Sequence, residues 1–374
     1  MPKHGNKTIV LVSKKRNRKF PIEEVCFRLI LVKFLSFVPL ILFFVLSCFA
    51  DASVRKSHHT ANGFKNPNPN FETKGFWDVI SWQFLRFQLP YSLDPKDYPP
   101  FPIMPNDGKQ LQTNKSKLSV TWVGHATTLI QIDGVNILTD PIWSERCSPV
   151  SFIGPKRYTP PGIKIEDLPR IDIVILSHNH YDHTDLPTLR QLEEKFHPLV
   201  FTGIGNKKLL LAEGLKNVKE MDWWEETKTK ELSITFTPTQ HFSGRGLLDR
   251  DETLWGSYLI SGEKEKVYFG GDTGFYTHFR EIAERFGPVD VAILPVGATE
   301  PRWMMAPVHI DPKETVKAFM DLKAKYLVPM HYMTFVLSDE PLDSPVPRTK
   351  EELKQAGISE EQFVPLKIGE SRFF

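Results

Sequence analysis

The chain has 374 residues, of which 41% are hydrophobic and 25% charged; these are ordinary globular values that exclude a largely disordered or fibrous polymer. The formal charge of +2 hides a division: nine Lys and Arg lie within residues 1–33 against Glu23 and Glu24, leaving 38 basic and 43 acidic residues beyond, the wrong sign for a nucleic-acid binder. Three cysteines, Cys26, Cys48 and Cys147, are an odd number and too far apart for a disulfide framework or a CxxC metal site.

The basic beginning runs into FLSFVPLILFFVLSCFA, Phe34 to Ala50, a stretch without a charge. It is membrane-directed, but short for a spanning helix and long for the apolar centre of a signal peptide. Three fates fit it: an uncleaved signal anchor, ordinary cleavage, or a lipoprotein signal in which VLSC makes Cys48 the lipidated first mature residue. Each carries the body across the membrane from residues 1–33, so a membrane-associated, extracytoplasmic catalytic domain is expected. Residues 51–75 are polar, with Asn, Pro and Gly, and read as a linker that opens an N-terminal extension reaching to 117. Within it, FWDVISWQFLRFQLPYSL (Phe76 to Leu93) repeats Trp77, Ile80, Phe84 and Phe87 at helical spacing. That suits either a helix packed on the main domain or one facing a membrane. The following DPKDYPPFPIMPNDGK holds too many prolines for a helix or a central strand and is expected to cross the surface.

Regular structure begins at Leu118, and residues 118–374 are expected to form the main domain. LSVTWVG, TLIQID and VNILTD read as strands, the last two joined by the hairpin signal Asp133-Gly134. IDIVIL (Ile171 to Leu176) reads as a buried strand, and LPTLRQLEEKF after it as a helix. Further strands are expected at LSITFTP, GSYLIS, KVYFGG, VDVAILP and YLVPM, with helices at HFREIAERF and DPKETVKAFM. The chain thus mixes β-meanders with β-to-α connections, an α/β (α+β) pattern. ILTDP with IDIVILS is echoed by YFGGDTG with VDVAILP, as though one half were written twice.

Chemistry concentrates in SHNHYDH, Ser177 to His183, where IDIVIL ends. His178 and His180 make half of a tetrahedral metal site, and Asp182 with His183 offers half of a second. A binuclear site needs more donors, and His241, Asp272 and His331 each follow an apolar strand, where α/β architectures place functional groups. Asp272, in GGDTG, has glycines close by that permit close approach and suits a position between two ions. His4, His58, His59, His197 and His278 fall in the leader, the linker or at helix ends and read as solvent histidines.

HxHxDH with downstream His, Asp and His resembles the metal signature of the metallo-β-lactamase superfamily, which implies a four-layer αββα sandwich. WVGHATTLIQIDGVNILTDPIWSERCSPVSFIGPKRY, LSHNHYDH, LWGS, GGDTGF, EPRW, HIDP, MHYMTF and GESRF are similar in order and spacing to the N-acyl-phosphatidylethanolamine-hydrolysing phospholipase D family, over essentially Leu118 to Phe374. The resemblance implies that His178, His180 and His241 hold one zinc, that Asp182, His183 and His331 hold the other, and that Asp272 bridges them. Iron or manganese are alternatives to zinc. His309, in APVHIDP, matches the family's catalytic histidine, and Asp182 is counted with it in the catalytic set; a structural histidine near a helix start is the competing reading of His309. Met333 stands where a glycine is usual in the animal enzymes.

Around that set, Asp140 either caps the turn before Pro141 or orients a ligating imidazole. His125 in GHAT is open between burial in a turn and chemistry. Arg302 and Trp303 are expected to shape the entrance, Arg302 as a phosphate partner. The implied partners are a phospholipid substrate and a membrane, with a homodimer compatible with both. Competing functions are hydrolysis of a cyclic phosphodiester, a phosphonate or a lactone, and a non-catalytic, membrane-linked binding protein.

Overall fold

The run IDIVIL shows how the body is layered. Its last four residues, β4 (Ile173–Leu176), are all buried, yet Ile173 and Ile175 join one apolar cluster while Val174 and Leu176 join another. Successive side chains of a strand point to opposite faces, so an unbroken apolar run requires cover on both.

The computed structural model describes residues 56–374 and supplies that cover with two sheets. In the first, β13 (Ser371–Phe373), β1 (Leu118–Gly124), β2 (Thr127–Ile132), β3 (Val135–Thr139), β4, β5 (Leu199–Gly203) and β6 (Val218–Met221) lie side by side in that order. In the second the order is β12 (Tyr326–Met330), β11 (Val291–Pro295), β10 (Lys266–Phe269), β9 (Ser257–Ser261), β8 (Leu232–Thr237) and β7 (Glu226–Thr229). Ile130, Ile137, Ile173 and Ile175 from one sheet meet Ile234, Phe236, Ile260, Val291 and Ile293 from the other in a shared core. On the outer face of the first sheet, Val174 and Leu138 pack on Leu189 and Leu192 of α3 (Leu186–Phe196) and Leu210 of α4 (Lys207–Ala212). On the outer face of the second, Tyr268 and Ala292 pack on Phe279 and Ile282 of α5 (His278–Phe286), Val316 and Phe319 of α7 (Pro312–Asp321) and Leu353 of α8 (Pro345–Gln355). The result is helix, sheet, sheet, helix.

The two halves share one plan. In each, an antiparallel run of three strands (β1-β2-β3 and β8-β9-β10) continues into parallel neighbours, β4 after β3 and β11 after β10. Asp140 follows β3 as Asp272 follows β10, which is where the sequence echo places them. The strands β1, β3, β4, β8, β10, β11 and β12 all bring their C-terminal ends to the edge where the histidines collect.

The stretch read as a linker is, from His58 on, fastened to the body. His58 Nε2 lies 2.6 Å and His59 Nε2 3.0 Å from the two carboxylate oxygens of Asp222, and the His58 ring stacks on Trp223. His58 is buried and His59 half-buried, so neither is a solvent histidine; His278 is buried too, against Phe279. His197 is the exposed one of the group. The extension continues through α1 (Phe76–Arg86) and the short α2 (Lys109–Gln112), and the proline-rich residues between them cross the surface. The segment 34–50 and the fates drawn from it, with His4, lie outside the described residues; among the described residues no helix is long and apolar enough to cross a membrane.

Candidate metal centre

Hydrogen bonds with Asp140 and Ser177 put the first of the SHNHYDH donors in place. Asp140, directly after β3, is fully buried; its Oδ1 accepts the backbone N–H of Ser177 at 2.7 Å, and its Oδ2 accepts the Ser177 hydroxyl at 2.6 Å and lies 2.7 Å from His183 Nδ1. Ser177 Oγ is in turn 2.9 Å from His178 Nδ1. One carboxylate therefore holds the Nδ1 sides of two imidazoles, leaving Nε2 of both as the free donors, which is how outer partners fix a ligating tautomer. Asp140 thus touches the His183 imidazole directly and reaches that of His178 through Ser177. His241 is fixed the same way, with Nδ1 3.0 Å from the Val308 carbonyl.

The backbone of His241 is also clasped from the extension. Asn66 donates Nδ2–H to the His241 carbonyl at 2.7 Å and accepts the His241 N–H on Oδ1 at 2.9 Å. Asn68 reaches Gln240, which donates to the Pro307 carbonyl. Asp272 comes close because its neighbours lack side chains: Gly271 has φ +56° and a Cβ there would lie 2.7 Å from Ser177 Cβ, while one on Gly274 would lie 2.3 Å from the Pro307 carbonyl oxygen.

These donors form two groups. His178, His180 and His241 converge within 4.8 Å of one another, as do Asp182, His183 and His331 together with His125. Asp272 faces both, with Oδ1 3.3 Å from His331 Nε2 and Oδ2 3.2 Å from His183 Nε2 and 3.8 Å from His241 Nε2. His125, whose role the sequence leaves open, stands 2.9 Å from Asp182 Oδ2 through Nε2. It is buried at φ +53°, and its backbone accepts the His331 N–H, so it braces two other donors at once. His309 lines the same cavity, with Nδ1 3.9 Å from Asp272 Oδ2.

The donor set fits metal ions. His183 Nε2, His331 Nε2, Asp272 Oδ1 and His309 Nδ1 are buried without a hydrogen-bond partner, an arrangement that costs energy unless something else satisfies them. His178 Nε2 and His180 Nδ1 face each other at 2.8 Å, two lone pairs that a shared cation would relieve. Burial disfavours charge on Asp182 and Asp272, yet His183 foremost among their neighbours holds both carboxyls well below the usual range. In return, although burial opposes it, His183 is raised well above its ordinary value by Asp272, Asp182 and Asp140 together, and His331 to about 9 by Asp272 and Asp182 together. His125 and His309 go the other way, pushed down by burial to about 3 and about 4. Ionised carboxylates thus demand positive charge here, and protons on His183 and His331 supply what divalent ions would.

Arg302 departs from its expected role. Its guanidinium is spent on the carbonyls of Thr299 and His309 and on Glu314, 2.7 Å away, so it braces the His309 loop against the start of α7. Trp303, on the short helix α6 (Arg302–Met305), is not among the residues lining the cavity, whereas Met304 and Met305 are. The cations that line it, Lys74 and Arg250, were not singled out in the sequence; nothing but their spatial position marks them.

Fold and donor set define a metal-dependent hydrolase of the metallo-β-lactamase superfamily. A model of the Beta-lactamase superfamily domain matches residues 135–332. The crystal structure of a possible metal-dependent hydrolase from Veillonella parvula aligns with a TM-score of 0.57 at 17% identity, covering 69% of this chain and all of that one, a likeness of fold. An uncharacterized protein of Mycobacterium tuberculosis is 40% identical over 238 residues, which are 62% of this chain and 63% of the relative, so the chain spans less than two thirds of that protein's length. N-acyl-phosphatidylethanolamine-hydrolyzing phospholipase D 1 of Caenorhabditis elegans is 37% identical over 271 residues, covering 69% of this chain and 76% of that protein. The chain belongs to the N-acyl-phosphatidylethanolamine-hydrolysing phospholipase D family.

Proposed function

We propose that this protein is a two-metal phosphodiesterase that hydrolyses N-acyl-phosphatidylethanolamine. Water adds to phosphorus, the bond from phosphorus to the ethanolamine oxygen breaks, and N-acylethanolamine and phosphatidic acid are released. The observation that carries this reading is the convergence of seven donors in two groups with Asp272 between them, five of the seven (His180, Asp182, His241, Asp272 and His331) lining a cavity of about 360 Å³. The name of the nematode relative supports the substrate.

His178, His180 and His241 would hold one ion and Asp182, His183 and His331 the other, with Asp272 shared. Two divalent ions, zinc foremost with iron or manganese as alternatives, supply a nucleophilic water near neutral pH and offset the phosphodiester's charge. Lys74 and Arg250 place cations on the cavity wall, where Glu72 also stands, and either cation suits a phosphate. An alkoxide leaves poorly without a proton or strong charge stabilisation, and His309, beside the donors yet outside their set, is placed to give either to the departing ethanolamine oxygen. The apolar segment 34–50 supports action at a membrane, with the body on the side opposite residues 1–33.

The test is the hydrolysis of N-acyl-phosphatidylethanolamine, bis-p-nitrophenyl phosphate and a simple lactone by the metal-loaded protein. The lipid should yield N-acylethanolamine and phosphatidic acid and be turned over fastest. Preference for the lactone would assign another substrate class, and inertness on all three with metal bound would leave a binding protein.

A further inference from the structure

Past the end of β8 the chain leaves regular strand pairing just before it delivers a metal donor. The Gly274 N–H still reaches the Gln240 carbonyl at 2.7 Å. The next residue, the buried His241, takes both of its backbone partners from a single side chain, the Asn66 carboxamide. Buried backbone N–H and C=O groups need partners, and a carboxamide can donate and accept at once, where a carboxylate only accepts and an ammonium only donates. Asn66 thus stands in for a missing strand.

Its neighbours put it there. In KNPNPN, Lys65 to Asn70, the residue before each proline is biased to extended backbone, and residues two apart in an extended chain share a side. Asn66 and Asn68 accordingly meet the 240–241 turn together, Asn68 donating Nδ2–H to Gln240 Oε1 at 3.0 Å. Upstream, Phe64 is buried in the core between the sheets and donates its N–H to the Asp251 carbonyl at 2.9 Å, and the His58 and His59 rings meet the Asp222 carboxylate. Residues 58–68 form a strap fixed at both ends.

The strap fixes the backbone from which the His241 ring springs, and the Val308 carbonyl, 3.0 Å from Nδ1, fixes the ring itself. What remains is Nε2, 3.3 Å from His180 Nδ1 and 3.8 Å from Asp272 Oδ2. We infer that Asn66 is a positioning residue for the His178, His180 and His241 metal group, and that seating of the 58–68 strap and occupancy of that group favour each other; the inference rests on the metal reading above and not on the lipid. Such coupling is reciprocal: the factor by which the seated strap raises the ion's affinity is the factor by which the ion favours the seated strap. A strap that served the fold alone would be indifferent to metal.

Competition of the zinc-loaded full chain against a chelator tests this. Asn66→Ala should weaken by about 10-fold the same ion that His241→Ala weakens. On the His241→Ala background, Asn66→Ala should add less than about 2-fold, because the donor through which it acts is gone. Hydrogen exchange over residues 58–71 should be faster in metal-stripped wild type than in the zinc-loaded protein, a comparison that needs no variant to fold. Unchanged zinc affinity in Asn66→Ala, an undiminished loss on the His241→Ala background, or strap exchange indifferent to zinc would each overturn the positioning role. Zinc effects as expected with no lipid hydrolysed would keep that role and sink the phospholipase reading, whereas lipid hydrolysis with zinc affinity unchanged in Asn66→Ala would do the reverse.

Discussion

His125 is a buried ring in a turn whose Nε2 lies 2.9 Å from Asp182 Oδ2. It sits at φ +53°, a conformation that non-glycine residues adopt at some cost and that recurs at functional sites. Asp140, His331 and Met333 share the positive φ, so four residues in or beside the centre are held in left-handed backbone. Met333 occupies a position where glycine would be at ease, and the chain tolerates it by packing the side chain on the inter-sheet core. Because His125 fixes one oxygen of Asp182, His125→Ala should weaken metal binding by the Asp182 group by roughly 10- to 100-fold, and His125→Gln should recover part of it. Competition titration against a zinc chelator reads both; undiminished affinity in the alanine variant would make His125 purely structural. His309→Ala should retain its metal and lose about 10²-fold or more in rate on the lipid. The loss should be much smaller on a p-nitrophenolate ester if His309 gives up a proton, and equal if it stabilises charge. Unchanged rates on both substrates would remove it from the mechanism.

Among the elements, those with strong apolar periods were legible: β1, β4, α3, α5 and β12 fall on or within a few residues of the runs that announce them. β6 and β7 were not, because VKEM and ETKT are largely polar and are strands through pairing with β5 and β8. β13 is a three-residue strand made by its partner β1. The donors were legible because HxHxDH compresses four of them into one loop. The supports were not: Asn66 comes from 175 residues away to clasp His241, and no local pattern records such a contact. His278 illustrates the limit on α5. A histidine at a helix start looks solvent-facing, but this one is buried, and burial pushes it down to about 3. The unfolded chain takes up that proton near pH 6.5 and the folded one only near 3, so the stability tied to a neutral His278 is complete above pH 6.5 and is lost as pH falls. By pH 5 the loss is about 2 kcal/mol. Thermal melts at pH 7 and pH 5 should therefore show a smaller acid-induced drop for His278→Leu than for wild type. Equal drops would mean that His278 is already charged or hydrated in the folded protein.

At the scale of the whole molecule, the two sheets matter because neither half holds the centre alone. The first contributes His178, His180, Asp182 and His183 after β4, and the second His241, Asp272 and His331 after β8, β10 and β12. Asp272 is the residue in contact with both donor groups, so it joins the halves chemically as the shared core joins them mechanically. Seven donors are too many for one tetrahedral ion and match the two-ion centre proposed above. Metal content per chain, measured by elemental analysis on wild type and Asp272→Ala at matched folding, tests that directly. About two ions per wild-type chain are expected, with both occupancies falling together in the variant. A fully active wild type holding a single ion, or an Asp272→Ala protein that still holds two, would contradict it.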